Sequence, residues 1–292
     1  ELLAYLREDV GGGDITTAAI LAAVAGSGSG LGSGRVRGVI VTKQPCVVAG
    51  LAEASEVFAH LGAKVEHVAK DGERVLAGRH VLRVVGPASA VLTGERLALN
   101  LLMRMSGIAT LTREMQDKVE AVDPRCRVAA TRKTTPGFRR FEKRAVELGG
   151  GDPHRFGLHD AFLVKDNHLH VLPDVKEAVR RCRALDPDKF LQVEADAPEQ
   201  ALLAAEAGAD GVLLDNFGPE LARETCRQLK SRFPQLLVEV SGGITPSTVA
   251  LYAGAADRIS MGWLTHSAAA VDFGLDLVED GGPVDVRNNS LL

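Results

Sequence analysis

Three things are scarce in this chain of 292 residues, and each absence narrows its function. No apolar run reaches the ~18 residues that cross a bilayer, so no transmembrane helix is expected. The four cysteines (Cys46, Cys126, Cys182, Cys226) are scattered, with no CxxC and no paired spacing. That argues against a disulfide framework and against a cysteine-built zinc site. There is no surplus of basic charge either: 34 Lys+Arg stand against 38 Asp+Glu. The balance gives no global reason to expect nucleic acid or an anionic membrane as partner. The first residues, Glu1 to Asp9, lack the basic region and apolar stretch of a signal peptide. The native start is expected to be processed or trimmed, and a reducing cytoplasm is the expected location. What remains is an ordinary globular composition, 46% hydrophobic and 25% charged, with length for one large domain or two moderate ones.

The chain reads as two parts. A short helix pattern opens it, followed by Gly11-Gly12-Gly13-Asp14-Ile15-Thr16-Thr17, where Asp14, Thr16 and Thr17 are expected as cap and turn residues. The run Gly26 to Gly34 is too rich in glycine and serine to pack and reads as a flexible loop. Residues 35–93 alternate short β-rich runs with turns around one helix at about Ala52 to Leu61, which is the pattern of a small β-rich domain. Within it, Ala69 to Gly78 resembles the glycine-turn frame of biotinyl and lipoyl carrier domains, without their modified lysine at a hairpin tip.

A long amphipathic helix follows, from Thr93 to about Val122. Beyond it, candidate strands at Arg127–Thr131, Ala161–Lys165, Phe190–Glu194, Gly211–Asp215, Leu236–Val240 and Arg258–Met261 alternate with helical runs. Such alternation predicts a parallel α/β domain. Polar or glycine residues follow each strand, and in an α/β barrel that end of the strands holds the chemistry.

The strand ends carry a coherent set of groups. Residues 131–144 hold six Lys/Arg and one acid, Glu142. A solvated basic face would explain a generic charge run. Here Arg132 and Lys133 abut a strand end, where a guanidinium fork and an ammonium suit a multiply charged anion. His154, Arg155 and Lys165 add to the same rim. His168-Leu169-His170 would place two imidazoles on one face of a strand, as a metal site requires, but no downstream histidine pair completes it. Glu194, Asp196 and Asp215 end two further strands, either as helix caps or as ligands for a divalent metal or sugar hydroxyls. Ser241-Gly242-Gly243 and Ser260-Met261-Gly262 end the last two, where glycines let backbone N–H groups approach a phosphate.

These motifs resemble the quinolinate phosphoribosyltransferase family. The resemblance runs from Glu8-Asp9-Val10-Gly11 to about Leu277. It includes Glu95 to Asn100, Arg104 to Thr110, the loop Thr131 to Arg139, His154-Arg155, Val164 to His168, Leu214-Asp215-Asn216 and Glu239 to Ile244. It implies a type II phosphoribosyltransferase, with an N-terminal α/β sandwich (hammerhead-like) domain and an incomplete α/β (TIM-like) barrel. On that pattern residues 1–95 form the sandwich, 96–125 a connecting helix and 126–265 the barrel, while 266–292 could pack back on the sandwich. The implied reaction joins quinolinate to phosphoribosyl pyrophosphate with decarboxylation, using Mg2+, in a homodimer or hexamer with shared active sites. Carried over, Arg96 (donated across the dimer), Arg132, Lys133, His154, Arg155 and Lys165 match the quinolinate pocket. Asp196 and Asp215 match the acids near ribose and magnesium. Ser241, Gly242, Gly243, Ser260 and Gly262 match the phosphate cradle. Lys133, Lys165, Asp196 and Asp215 are the expected catalytic set. One departure is Glu194-Ala195-Asp196 where members usually carry Glu-x-Glu; the shorter Asp196 could turn a direct contact into a water-mediated one. A paralogue acting on another substrate, molybdenum-transport-associated or nicotinate type, and a non-catalytic anion-binding protein are the alternatives.

Overall fold

The computed structural model describes residues 1–25 and 34–278. Residues 26–33 of the glycine-serine run, and the 279–292 part of the C-terminal segment, lie outside the described residues. The chain divides into two compact units, one comprising Glu1–Thr110 with the returning segment from Ala269, the other Leu111–Ala268.

The first unit begins with helices α1 (Leu2–Val10) and α2 (Ile15–Ala25). Asp14 does cap: its Oδ1 accepts from Thr17 N at 3.0 Å. Thr16 and Thr17 are not turn residues but lie inside α2, since the cap lets the helix start at Ile15. Then come β1 (Arg35–Thr42), β2 (Cys46–Val47), α3 (Leu51–His60), β3 (Lys64–His67), β4 (Arg74–Val75), β5 (His80–Pro87) and α4 (Ala88–Glu120). The helix α4 starts five residues before the position its periodicity suggests, because Ala88, Ala90 and Val91 are buried and continue its apolar face. The division between the units falls inside α4. A four-stranded antiparallel sheet has the order β12-β1-β5-β3, with β12 (Phe273–Val278) contributed by the far end of the chain. Phe58, Ile40, Leu51, Leu82 and Leu102 are fully buried in its core, each contributing roughly 1.5–3 kcal/mol by removal from water.

The Arg104 to Thr110 motif serves packing. Ser106 Oγ accepts from Ala49 N at 2.9 Å and donates to Ala49 O at 3.1 Å, and Thr110 Oγ1 accepts from Val47 N at 2.9 Å. Between them, a Cβ on Gly107 would lie 3.2 Å from Ala270 Cα and overlap the Ala269 carbonyl. Only glycine lets the returning chain cross α4 there.

The second unit continues with β6 (Arg127–Ala129), α5 (Arg139–Leu148), β7 (Phe162–Val164), α6 (Asp166–Val171), α7 (Val175–Leu185), β8 (Leu191–Ala195), α8 (Pro198–Glu206), β9 (Gly211–Asp215), α9 (Pro219–Arg232), β10 (Leu237–Ser241), α10 (Val249–Tyr252), β11 (Arg258–Ser260) and α11 (Trp263–His266). Its six strands are all parallel, in the order β6-β11-β10-β9-β8-β7. Strands covered on both faces read as continuous apolar runs, and Val212, Leu213 and Leu214 are all buried. The sheet does not close between β6 and β7, which makes the unit an incomplete TIM-like barrel.

Candidate active site

Strand β6 leads into the basic loop. Thr131 Oγ1 accepts from Lys133 N at 3.0 Å, and the buried Glu142 accepts from Thr135 N and Oγ1 at 3.1 and 2.9 Å. Arg139 braces the loop by donating to Thr134 Oγ1 (2.9 Å), Phe156 O (3.2 Å) and Arg132 O (3.4 Å). Lys143 is buried, and its Nζ donates to Pro153 O and, at 3.5 Å, to His154 O. Burial, then the nearby Arg139, push its ammonium down to about 8. These two cations therefore build the loop, whereas Arg132 and Lys133 face solvent at the strand end.

The segment after α5 carries His154 and Arg155. Arg155 is half-buried, donates to Ala161 O at 3.2 Å, and borders a cavity of ≈ 240 Å³ with Phe162, Gln192, Leu237 and Arg258. Burial and then the neighbouring Arg132 charge lower its pKa, so these two guanidinia share one field. His154 sits at a positive φ of 57. His154 borders the same cavity, while its ring is held from within: Nδ1 accepts from Arg155 N at 2.7 Å, and Nε2 lies 3.3 Å from Glu239 Oε2. Both ring nitrogens are thus engaged inside the protein.

Lys165 follows β7 and pairs with Glu194 of β8, which is buried. His168 caps this turn, its Nδ1 accepting from Lys165 N at 2.9 Å. His168 and His170 lie on α6, so they do not share the strand face that a paired metal site would need. Asp196 lies just past β8, exposed, with its N–H on Gln200 Oε1 at 3.0 Å. Asp215 ends β9. Burial raises its pKa most, Asp196 and Asp166 add to that, and Lys165 and Lys133 oppose it. One carboxylate therefore feels the charges of loops after β6, β7 and β8.

Beyond β10, Gly242 and Gly243 have φ of 95 and 60. Successive residues with such φ can aim their N–H groups at an anion. A Cβ on Gly242 would lie 2.7 Å from Asn216 N and closer still to its Oδ1. Asn216 N donates to Ser241 O at 2.9 Å and its Nδ2 to Asp215 Oδ2 at 2.7 Å, locking the ends of β9 and β10. Ser260 is buried, and its Oγ donates to Glu239. Gly262 lies beside Lys133 and His266. Arg96 is exposed on α4, in the first unit.

Three residues of this neighbourhood do not stand out in the sequence as site residues. Asn216 is only the tail of the Asp215 motif, His266 reads as structural, and Glu239 hides in an apolar strand. A charge inside a run as apolar as Leu236 to Val240 is the signal that could have found Glu239.

Cations on one set of strand ends, carboxylates on the next and paired glycines on the last define an α/β-barrel enzyme for multiply anionic, phosphorylated substrates. The family models agree. Residues 14–106 match the quinolinate phosphoribosyl transferase N-terminal domain and residues 108–276 its C-terminal domain. The human nicotinate-nucleotide pyrophosphorylase (carboxylating) is 40% identical over 275 residues, covering 94% of this chain and 89% of the human one. The same enzyme of Mycobacterium leprae is 41% identical over 249 residues, covering 83% and 86%. The crystal structure of NadC from Streptococcus pyogenes superposes with a TM-score of 0.84 at 37% identity, covering 95% and 96%. This chain belongs to the quinolinate phosphoribosyltransferase family.

Proposed function

We infer that this chain transfers the phosphoribosyl group of phosphoribosyl pyrophosphate to quinolinate, giving nicotinate mononucleotide, pyrophosphate and carbon dioxide. The observation that carries this reading is the placing of Arg132 and Lys133 after β6, Lys165 after β7, Asp215 at the end of β9 and the positive-φ pair Gly242-Gly243 after β10, all at the C-terminal ends of one parallel sheet, in a chain of this family.

Quinolinate is a dianion and its co-substrate is more highly charged, so bringing them together costs electrostatic energy that fixed cations must offset. Arg132, Arg155 and Lys165 supply these for quinolinate. Lys133, next to Gly262, serves the substrate carboxylate or the pyrophosphate. The backbone of Ser241, Gly242 and Gly243 receives the 5′-phosphate, and Asp215 and Asp196 hold the ribose as its anomeric carbon gains positive character. The ring nitrogen attacks that carbon and the bond to pyrophosphate breaks. The positive pyridinium nitrogen stabilises the electron pair left on the ring carbon when the adjacent carboxylate departs as carbon dioxide, and that carbon then takes up one proton.

Among the described residues no three His, Cys, Asp or Glu side chains gather as a metal cage, and Glu194 is committed to Lys165. Asp215 and Asp196 suit Mg2+ that keeps waters and substrate oxygens as its other ligands. Bound there, Mg2+ would screen the charge of the departing pyrophosphate. A homodimer or hexamer in which Arg96 enters the neighbouring site belongs to the same reading, as does a cytoplasmic location. No helix among the described residues is long and apolar enough to cross a membrane.

The test is a Mg2+-dependent assay following loss of quinolinate absorbance with phosphoribosyl pyrophosphate, with nicotinate in parallel. Quinolinate turnover with carbon dioxide release and inert nicotinate is expected. Turnover of nicotinate instead, or none in a folded protein, overturns the assignment.

A further inference from the structure

One charge is held wholly inside the barrel. Glu239, in the middle of β10, is fully buried. Its carboxylate accepts from Gln192 Nε2 of β8 at 3.0 Å, from Arg258 Nε of β11 at 2.7 Å, and from Ser260 Oγ. Arg258 Nη2 lies 2.6 Å away, and Arg258 Nη1 donates to Asp152 Oδ2 at 3.0 Å. Burial alone would raise the Glu239 pKa, yet the His154 contact and the Arg258 charge hold it down to about 2. It is a carboxylate at any working pH.

The remaining neighbour is His154, and its protonation follows from geometry. A backbone N–H can only donate. Arg155 N donates to Nδ1 at 2.7 Å, so Nδ1 carries a lone pair and the ring proton is on Nε2, facing Glu239 Oε2. The His154 backbone is pinned at the same time: its N donates to Asp152 Oδ1 at 2.6 Å, and its carbonyl accepts from Lys143. A non-glycine residue in the left-handed region persists only when its surroundings over-determine it. Here Asp152, Lys143 and Glu239 do so together.

We propose that Glu239 is a positioning residue for quinolinate binding, which holds His154 in its Nε2–H tautomer and, through the His154 Nδ1 acceptor, sets the backbone that aims Arg155. His154 is then the strut between a buried carboxylate and a substrate cation. The proposal rests on reading Arg155 as a quinolinate-binding residue.

Two measurements test it. In 15N-labelled protein, two-bond 1H–15N correlation spectra, with His154 assigned by its loss in His154→Asn, report the tautomer without any substrate. An unprotonated Nδ1 and protonated Nε2 are expected. A protonated Nδ1 or an imidazolium at neutral pH overturns the proposal, whatever the enzyme turns over. The second measurement is a kinetic cycle of His154→Asn, Glu239→Asp and the double variant. Asn tolerates the left-handed φ but has no group at the Nε2 position, so it breaks the link to Glu239. Asp keeps the charge opposite Arg258 but withdraws it from His154. Each single variant should raise the quinolinate KM about tenfold, within the coupling range of contacting residues, with the phosphoribosyl pyrophosphate KM within about twofold. The double variant should be no worse than the singles. Additive losses, or equal rises in both KM values, would make Glu239 a general structural group and overturn the proposal. Glu239→Gln serves as the alternative should Glu239→Asp not fold. Absence of quinolinate turnover in the unmodified protein would refute the assigned reaction instead, leaving the tautomer result standing.

Discussion

The stem of Lys133 lies against Gly262: a Cβ at position 262 would come 3.0 Å from Lys133 Cδ and 3.0 Å from His266 Nε2. The first strand's basic loop and the last strand's glycine turn thus share one space. The contact is reinforced by Thr265 Oγ1, which donates to Lys133 O at 2.8 Å.

Gly262→Ala should therefore act on activity more than on stability. The atoms it meets belong to side chains that can shift by a few tenths of an ångström. Unfolding should change by under about 1 kcal/mol, as for substitutions without a backbone clash. The displaced Lys133 should raise the phosphoribosyl pyrophosphate KM several-fold. Thermal denaturation and steady-state kinetics on one preparation check both.

Gly242→Ala and Gly243→Ala should differ although both glycines have positive φ. At Gly242 the new Cβ meets Asn216 backbone, whereas at Gly243 nothing lies within 4 Å. The first should lose about 2–3 kcal/mol through strain and clash, and the second about 1 kcal/mol for the left-handed conformation alone. Urea unfolding of the two variants decides this, and phosphoribosyl pyrophosphate binding should weaken more in Gly242→Ala.

Asp215 gives a pH dependence of unusual sign. Its pKa is raised, first by burial, so the folded state holds its proton longer than the unfolded state. Stability relative to Asp215→Asn should fall as pH rises from the ordinary aspartate value of ~3.9 through the raised folded value, then level off. If Asp215 holds Mg2+ as proposed, binding of Mg2+ with phosphoribosyl pyrophosphate should weaken as pH falls through that same value. Unfolding and calorimetric titrations across this range give both slopes; a flat difference between the proteins would contradict the assignment.

Lys143 predicts the opposite limb. Its folded pKa is about 8, below the ~10.4 of an unfolded lysine. The unfolded state therefore binds more protons between those values, and stability relative to Lys143→Met should rise with pH across about 8 to 10.4. Either protonation state can donate to Pro153 O and His154 O, so the 153–154 turn should survive this titration. Denaturation at stepped alkaline pH checks the slope.

Much of the barrel is legible in the sequence because buried parallel strands announce themselves: Gly211–Asp215 reads with its observed bounds, and the others within two residues. Short elements do not. The six residues of α6 begin with a cap made by Lys165 and His168, and alternation of His168 and His170 mimics a strand over so short a stretch. The rim cations are visible by type, yet their division of labour is not. Arg139 and Lys143 look like Arg132 and Lys133 until the carbonyls they brace are known. Glu239 needs register: only its pairing opposite Arg258 across β10 and β11 shows why a strand interior tolerates a charge.

The pairing of β12 with β1 also orders events during synthesis. Until Phe273–Val278 leave the ribosome, β1 has β5 on one side and an open edge on the other. Every residue of the second unit is made before that edge is covered. An emerging chain thus carries an unsatisfied strand edge throughout translation of the barrel, the form in which a nascent protein is most open to mispairing or chaperone capture.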